Sequence, residues 1–155
     1  MERIGYQDIP QGMFDNLLST ENFINASSLE MLLLEIIRVR VSQINGCAYC
    51  VDMHHKELRH LGETALRLTS ICVWQEATYF TDKERVVLQF TDELTQLQPS
   101  GVNESTYDGL LKHFSKKEIC YLTLAISQIN TWTRLMKTFK FTPGKYKVQV
   151  PETVS

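Results

Sequence analysis

Apolar residues recur along this chain every three or four positions, and strict alternation of apolar and polar residues is not sustained. This spacing is typical of α-helices that bury one face, whereas half-buried strands alternate every second residue. Only 7 glycines and 4 prolines interrupt the 155 residues, which leaves room for long helices. The pattern therefore predicts an all-α fold. Three capping-box sequences mark predicted helix starts: Ser27-x-x-Glu30, Thr81-x-x-Glu84 and Ser115-x-x-Glu118.

The same signals predict where the helices end. An apolar stripe from Leu29 to Ile44 stops at Asn45-Gly46, a pair that commonly closes a helix. A new helix is predicted from the cysteines that follow to Gly62, because glycine is a natural helix stop. Further helices are predicted over residues 63–79, 86–97, 107–114 and 118–139, with a non-helical extension from residue 142 onward.

One of the predicted helices is apolar on nearly all sides, and a later one also carries several apolar residues. A chain of 155 residues is about one domain, and one small bundle does not readily hide so much apolar surface. We therefore expect a single domain over residues 1–155 that assembles into a closed oligomer. The apolar residues are Leu29, Leu32, Leu33, Ile36 and Ile37 in the first helix and Leu122, Leu124, Ile126 and Ile129 in the last.

The charge of the chain argues against two classes of partner. There are 16 Lys and Arg residues against 18 Asp and Glu residues, and the net charge is −2. The chain therefore has no basic excess to neutralise phosphates or anionic lipids. No apolar run reaches the roughly 18 residues of a membrane span, and the N-terminus lacks the apolar segment of a signal peptide. We expect a cytoplasmic protein that binds neither nucleic acid nor membranes.

A five-residue sequence occurs twice in nearly the same form. Residues 41–45 read VSQIN and residues 126–130 read ISQIN. Either the chain contains a duplication, or two buried helices with similar neighbours use similar residues. In a true duplication the second copy has Trp132 and Leu135 in place of the cysteines, so only the first copy would carry thiol chemistry.

Residues 45–54, with the sequence NGCAYCVDMH, place two thiols and an imidazole close together. On a helix, Cys47, Cys50 and His54 share one face. A reducing cytoplasm disfavours structural disulfides, so we interpret the pair as catalytic or metal-binding. The helix N-terminus favours the thiolate form of Cys47, and His54 can exchange a proton with Cys50. The arrangement suits a thiolate that attacks a peroxide.

The roles of several other residues stay open at this level. Glu35 lies in the preceding helix within an apolar segment, and it is either an acid that protonates the departing alkoxide or a solvated residue. Tyr49 either packs against a neighbouring helix or offers its hydroxyl near the thiols. Cys72 and Cys120 lie among apolar residues, and we predict that they are buried and without a chemical role. The remaining histidines, predicted to be exposed, are His55, His60 and His113.

Other interpretations of the thiols are also possible. In one, Cys47, Cys50 and His54 bind zinc, with Glu35 or His55 as the fourth ligand. Structural zinc sites usually combine two separated ligand pairs, however, and this sequence has no second pair. In another, an assembly or stress-sensing protein reports oxidation to a partner in a single turnover. A general dithiol oxidoreductase that does not act on peroxides is a third alternative.

These residues resemble those of the carboxymuconolactone decarboxylase superfamily and, within it, the AhpD-like alkylhydroperoxidase branch. The resemblance rests on Glu35, the step of twelve residues to Cys47, the CAYC box that ends at Cys50, and His54. This combination is far more specific than a lone CxxC. The segments that extend it over most of the chain are residues 42–45, 62–63 and 130–134.

The resemblance implies an AhpD-like helical bundle that forms trimers or hexamers and reduces organic hydroperoxides by a disulfide cycle, without a bound cofactor or metal. It also implies that Cys50 attacks the peroxide, that Cys47 resolves the product, and that Glu35 and His54 form a proton relay. Helix position alone favours Cys47 as the attacking thiol, whereas the nearness of His54 favours Cys50. The expected reductant is a thioredoxin-like or lipoyl-bearing protein. Tyr49 is a departure, because the well-characterised peroxidases of the branch have a histidine there.

Overall fold

The structure, a computed structural model, describes residues 2–149. Helices dominate this part of the chain, and no β-strand occurs within it. The all-α prediction is therefore confirmed. The seven α-helices of residues 2–149 are α1 (Met13–Asn25), α2 (Met31–Ile44), α3 (Ala48–His60), α4 (Ala65–Ser70), α5 (Asp82–Thr95), α6 (Glu104–Leu111) and α7 (Lys116–Phe139), and 3₁₀ turns occupy Tyr6–Asp8 and Ile71–Val73. None of the described helices is both long and apolar enough to cross a membrane.

Helix α2 lies at the centre of the bundle. It packs against α3, α5 and α7, and its residues from Leu33 to Val39 are all buried, so the middle of the helix is covered on every side. A helix that is apolar all round needs such neighbours, because any open side would expose apolar surface to water. Fully buried residues of the neighbouring helices, including Leu88 from α5 and Leu122 from α7, meet this need.

The apolar residues from which we predicted an oligomer are buried within one chain. Seven of the nine are at most 7% exposed, and the other two, Leu32 and Leu124, are partly buried. The expectation that one small bundle cannot hide this apolar surface is therefore wrong, because the other helices around α2 and α7 already cover it. The trimer or hexamer stays a prediction that rests on the resemblance.

Two of the three predicted capping boxes are confirmed. The hydroxyls of Thr81 and Ser115 accept the backbone N–H three residues later, and the glutamate there accepts the N–H of the capping residue. The third is wrong, because α2 begins at Met31 and its N-cap, Glu30, makes no side-chain capping bond. Ser27 Oγ instead accepts the N–H of Leu29 at 3.3 Å, in the turn before the helix.

The predicted helix over residues 63–79 is much shorter than expected, since only α4 and one 3₁₀ turn form there. The Arg85 guanidinium of α5 explains where the helix stops. It donates to the carbonyl oxygens of Trp74 and Ala77 at 3.0 Å and of Gln75 at 2.9 Å. These carbonyls are satisfied by a side chain from another helix, so the segment does not need helical bonds of its own.

Candidate active site

The turn between α2 and α3 fixes the position of the thiols. Gly46 has a φ of +60°, a left-handed conformation that glycine adopts without strain. The N–H of Gly46 donates to the carbonyl of Gln43 at 3.1 Å, and that of Cys47 donates to Ser42 at 3.0 Å. These two bonds form a Schellman motif, so the predicted helix stop at Asn45-Gly46 is confirmed. Cys47 then serves as the N-cap of α3.

Helix α7 holds the same turn from the other side. Asn45 Nδ2 donates to Asn130 Oδ1 at 2.8 Å and to Thr133 Oγ1 at 2.9 Å. Lys137 Nζ donates to the carbonyl oxygen of Asn45 at 2.6 Å. Thr133 is fully buried, and hydrogen bonds shielded from water are electrostatically stronger than exposed ones. The start of α3 is thus fixed to α7 as well as to α2.

Cys47 and Cys50 form a disulfide at the first turn of α3, with their Cα atoms 5.3 Å apart. Both residues are almost fully buried. The Sγ atom of Cys47 accepts the backbone N–H of Cys50 at 3.4 Å. The free N–H groups and the positive end of the helix dipole at this terminus favour a thiolate once the bond is reduced. The position therefore suits both forms of a redox pair.

Glu35 and His54 form a buried pair between α2 and α3. His54 Nδ1 lies 2.8 Å from Glu35 Oε2, and the two residues are only 7% and 4% exposed. The interpretation of Glu35 as a solvated residue is therefore wrong. Because Nδ1 is engaged, Nε2 is the ring nitrogen of His54 that is left for proton exchange. Cys50 precedes His54 by four residues, which places both on one face of α3.

Arg38 completes the surroundings of Glu35. Its Nη1 donates to Glu35 Oε1 at 2.6 Å, and its Nη2 donates to Asn25 Oδ1 at 2.6 Å and pairs with Glu21, both in α1. Burial by itself raises the pKa of Glu35, but the charges and hydrogen bonds of His54 and Arg38 together outweigh it. The pKa of Glu35 therefore lies below its ordinary value. Glu35 is ionised at neutral pH.

A cavity of about 570 Å³ brings these groups together, since Cys50, Glu35, His54 and Arg38 all line it. Its volume falls within the range of cavities that bind small molecules, and such cavities combine an apolar wall with a few polar groups. The apolar and aromatic part of the wall includes Phe14, Leu18, Met31, Met53, Ile129, Trp132, Met136 and Phe141. The space suits an organic molecule with one polar end.

Cys47 lines a different space. This second cleft, of about 360 Å³, also contains Lys137 and Lys140 from the C-terminal end of α7. The predicted shared face of Cys47, Cys50 and His54 is thus found only in part, because Cys50 lies at the cavity of His54 and Cys47 at the second cleft.

Two tyrosines at the larger cavity stay protonated at neutral pH. Burial raises the pKa of Tyr49, and the neighbouring Tyr6 raises it further. Burial and a hydrogen bond to Glu57 likewise raise the pKa of Tyr146. A protonated tyrosine can donate a hydrogen bond but cannot act as a base. Tyr49 also packs against Phe141, with 5.9 Å between ring centroids. A packing contact was one of the two roles that the sequence left open for Tyr49.

The remaining candidates lie outside this site. Cys72 and Cys120 are exposed, so the prediction that they are buried is wrong: Cys72 falls in the 3₁₀ turn after α4, and Cys120 lies on the outer face of α7. Within residues 2–149, no group of three or more His, Cys, Asp or Glu is placed to hold a metal ion. The other histidines are exposed or partly so: His55, His60 and His113.

The sequence interpretation missed Arg38 and the whole of α1. Arg38 is a charged residue inside an apolar run, three positions after Glu35, and this spacing was an available signal for an ion pair. Helix α1 carries the helical spacing of Phe14, Leu17 and Leu18, which is a weaker signal. Both matter, because α1 supplies partners of Arg38 and part of the cavity wall.

Comparisons with known proteins agree with this architecture. The Carboxymuconolactone decarboxylase family matches residues 11–93, which is more than half of the chain. The uncharacterized protein YdfG of Bacillus subtilis (strain 168) is 33% identical over 86% of this chain and 91% of its own length.

Solved structures are also similar. ATU0492 from Agrobacterium tumefaciens, a protein of unknown function named for AhpD-type antioxidant defence, is 36% identical with a TM-score of 0.88, over 94% of this chain and 100% of its own. The debrominase Bmp8 shares the fold alone, with 15% identity and a TM-score of 0.74 over 84% of this chain and 70% of its own. The chain therefore belongs to the carboxymuconolactone decarboxylase family, in its AhpD-like branch.

Proposed function

We propose that this chain is a thiol-dependent peroxidase that reduces organic hydroperoxides through a dithiol–disulfide cycle of Cys47 and Cys50. The observation that carries the proposal is one cavity lined by Cys50, His54 and Glu35 beside a helix N-terminus. A nucleophilic thiol, a base and a carboxylate that orients the base are the groups that this chemistry needs. The name of the Agrobacterium relative supports the same class of reaction.

In the first step, the Cys50 thiolate attacks the terminal oxygen of the hydroperoxide, and the O–O bond breaks. His54 takes the thiol proton through Nε2 and returns it to the departing alkoxide, so an alcohol and a Cys50 sulfenic acid form. Glu35 is ionised at neutral pH and holds His54 in the tautomer with a protonated Nδ1. Glu35 thus contributes to the relay through His54 rather than as the acid itself.

In the second step, Cys47 attacks the Cys50 sulfur, water leaves and the disulfide forms. The Cα separation of 5.3 Å is within the ordinary range for a disulfide, which supports closure without a large backbone movement. A thioredoxin-like or lipoyl-bearing dithiol then reopens the bond. Tyr49 stays protonated, so proton transfer falls to His54.

The cavity wall supports an apolar hydroperoxide as the substrate. An aromatic or alkyl group gains free energy by leaving water for the apolar wall, whereas hydrogen peroxide gains almost nothing there. We expect kcat/KM to be higher for cumene hydroperoxide than for hydrogen peroxide. Equal values for the two peroxides would contradict this assignment.

Peroxide consumption with dithiothreitol as the reductant tests the proposal. Cys50→Ser should lose the activity, while Cys120→Ser, which removes an exposed thiol on α7, should keep it. Equal rates for wild type and Cys50→Ser would refute the peroxidase. A disulfide that cycles without consuming peroxide would identify a general dithiol oxidoreductase, and a single turnover with excess reductant would identify an oxidation sensor.

We further propose, from membership of the AhpD-like branch, that the protein works in the cytoplasm as a homotrimer or homohexamer. Size exclusion coupled to light scattering tests the assembly at micromolar concentration. A mass near three or six times 17.9 kDa is expected. A single species at the mass of one chain, with full peroxidase activity, would refute it.

A further inference from the structure

We propose that the reductant reaches the disulfide through the cleft at Cys47, on the side away from the peroxide, and that Lys137 and Lys140 make this cleft select anionic thiols. This inference rests on the proposed function in treating the disulfide as redox-active. It adds the route of the reductant, the sulfur that is attacked and the charge of the partner.

A packed wall separates the two sides of the disulfide. Tyr49, Met136 and Phe141 line both the larger cavity and the cleft, whereas Cys50 lines only the cavity and Cys47 only the cleft. Met136 and Phe141 are almost fully buried and belong to the same apolar cluster as the two cysteines. The partition is therefore part of the core, so a molecule in one space does not reach the sulfur of the other.

The position of the cleft decides which sulfur is attacked. A thiolate displaces a disulfide sulfur along the line of the S–S bond, and the rate depends on access to that sulfur. Cys47 is the cysteine that lines the cleft, although it is only 2% exposed. A reductant in the cleft therefore meets Cys47 first, and a bond forms between the reductant's sulfur and that of Cys47. The Cys47–Cys50 bond breaks, and its electron pair leaves on Cys50 as a thiolate. A second thiolate of the same reductant then displaces Cys47, and the reductant leaves as a disulfide.

This direction of attack links the two half-reactions. Cys50 is released into the cavity that it shares with His54 and Glu35, and it is already in the thiolate form that attacks a peroxide. Attack on Cys50 would instead release Cys47 and leave Cys50 blocked by the reductant. The cleft at Cys47 thus delivers the reactive thiol directly to the peroxide side.

The charges around the cleft favour an anionic reductant. Lys137 and Lys140 line it, and among residues 2–149 none of those that line it is acidic. The bond from Lys137 to the Asn45 carbonyl fixes one ammonium, and Lys140 is the exposed left-handed residue that ends α7. The carboxylate of Glu2 lies 3.4 Å from the backbone nitrogen of Thr142 at the edge of the cleft and offsets one positive charge.

The larger cavity has the opposite balance. Within the part of the chain that the structure describes, its charged lining residues are three carboxylates and one arginine: Glu21, Glu35, Glu57 and Arg38. A neutral hydroperoxide is compatible with that balance, whereas an anionic thiol is repelled. The two reactants are therefore separated by charge as well as by the wall.

The test compares two dithiols of different charge, dimercaptosuccinate, which is a dianion, and neutral dithiothreitol. The rate of disulfide reduction is measured by acid quenching, alkylation and mass, with no peroxide present. In Lys140→Gln, disulfide reduction by dimercaptosuccinate should be about three- to tenfold slower at low salt, and reduction by dithiothreitol less than twofold slower. Glu2→Gln should make disulfide reduction by dimercaptosuccinate faster, because it removes a negative charge at the edge of the cleft.

The matched control is Lys116→Gln, which removes the same charge from the other end of α7, about 36 Å away by the helical rise. This control should leave both rates unchanged. Equal slowing of both dithiols by Lys140→Gln, no slowing of either, or the same effect in Lys116→Gln would overturn the charge selection.

A second measurement identifies the attacked sulfur. Oxidised wild type is treated briefly with the monothiol mercaptosuccinate, quenched in acid, alkylated and sequenced by mass spectrometry. The adduct is expected on Cys47 and the alkyl group on Cys50, and an adduct on Cys50 overturns the route. Because neither measurement uses peroxide, an adduct on Cys47 in a protein that consumes no peroxide would refute the proposed function alone.

Discussion

Replacement of Glu35 by glutamine is expected to disable the site while leaving the fold intact. The carboxylate accepts two hydrogen bonds, from Arg38 on Oε1 and from His54 Nδ1 on Oε2. An amide of the same shape has one oxygen, and its NH₂ group must face one of these two donors. Arginine cannot become an acceptor, so the amide oxygen stays with Arg38. The NH₂ group then faces His54, which takes the tautomer with a bare Nδ1 and a protonated Nε2.

The change of tautomer removes the base. A neutral His54 with a proton on Nε2 cannot take the proton of Cys50, and general base catalysis is worth about 10²- to 10⁴-fold. We expect kcat/KM for cumene hydroperoxide to fall by that factor in Glu35→Gln. The lost charge-assisted hydrogen bond lowers the free energy of unfolding by about 1.5–3 kcal/mol at pH 7.

The stability difference between wild type and Glu35→Gln should depend on pH. Because the pKa of Glu35 is lower in the folded chain than in the unfolded chain, its ionisation contributes stability that is fully present above the unfolded-state pKa. This contribution is lost as the pH falls through the folded-state value. The difference in unfolding free energy between wild type and Glu35→Gln is therefore full at pH 7 and shrinks as the pH falls below about 4.

Urea unfolding followed by circular dichroism, at pH 7 and at about pH 3.5, measures this difference, and a peroxide assay measures the activity. Glu104→Gln is the matched control, because Glu104 is exposed at the start of α6. The control should keep full activity and should lower the free energy of unfolding by less than about 1 kcal/mol, the size of an exposed helix-dipole interaction. A stability difference that is the same at both pH values, or full peroxidase activity in Glu35→Gln, would refute the reasoning.

Three further variants test other parts of the site. Arg38→Met leaves Glu35 and Glu21 without the arginine that pairs with both. Urea unfolding should show that the free energy of unfolding falls by about 3–5 kcal/mol, and a fall below about 1 kcal/mol would contradict the buried pair. Gly46→Ala forces a side chain into a φ of +60° and should cost about 1–2 kcal/mol in the same assay, so unchanged stability would contradict this turn geometry. Trp132→Leu removes aromatic wall and should raise KM for cumene hydroperoxide severalfold but not for hydrogen peroxide, and equal effects would exclude a substrate contact.

Much of the helical frame could be predicted because its signals are local. The capping boxes at Thr81 and Ser115 and the stop at Asn45-Gly46 depend on residues within a few positions of each other. Such contacts form whatever the rest of the chain does. The predicted helix over residues 63–79 was wrong for the opposite reason. Arg85, from another helix, donates to carbonyl groups that a longer helix would use for its own hydrogen bonds.

The surroundings of Glu35 could be predicted only in part, because the local pair with Arg38 has a sequence signal but the contacts with other helices do not. Arg38, which pairs with Glu35, reaches back 13 residues to Asn25 at the end of α1. Periodicity reports that a residue lies on a helix face, but not which helix covers that face. The separation of the two thiols was missed for a local reason. Cys47 is an N-cap with extended backbone angles, φ −94° and ψ 95°, so the helical spacing that aligns Cys50 with His54 does not extend to it.

The repeated VSQIN and ISQIN sequences have a physical explanation in the contact between α2 and α7. The two asparagines that end the repeats, Asn45 and Asn130, hydrogen-bond to each other at 2.8 Å. The serines do not match, because Ser42 is fully buried and Ser127 is exposed. Equivalent residues therefore have different surroundings, which favours reuse of similar residues at one contact over a duplicated unit.

The contact between α2 and α7 also helps to explain why the two cysteines of the disulfide line different spaces. Through Asn130, α7 fixes the turn that begins α3. About two to three turns further on, the same helix supplies Met136 to the wall and Lys137 and Lys140 to the cleft. Helix α7 thus fixes the position of Cys47 and supplies Met136 to the partition, while Tyr49 of α3 and Phe141, just after α7, complete it. The separation of the two cavities therefore follows from the packing of α3 and of the end of α7 around the disulfide.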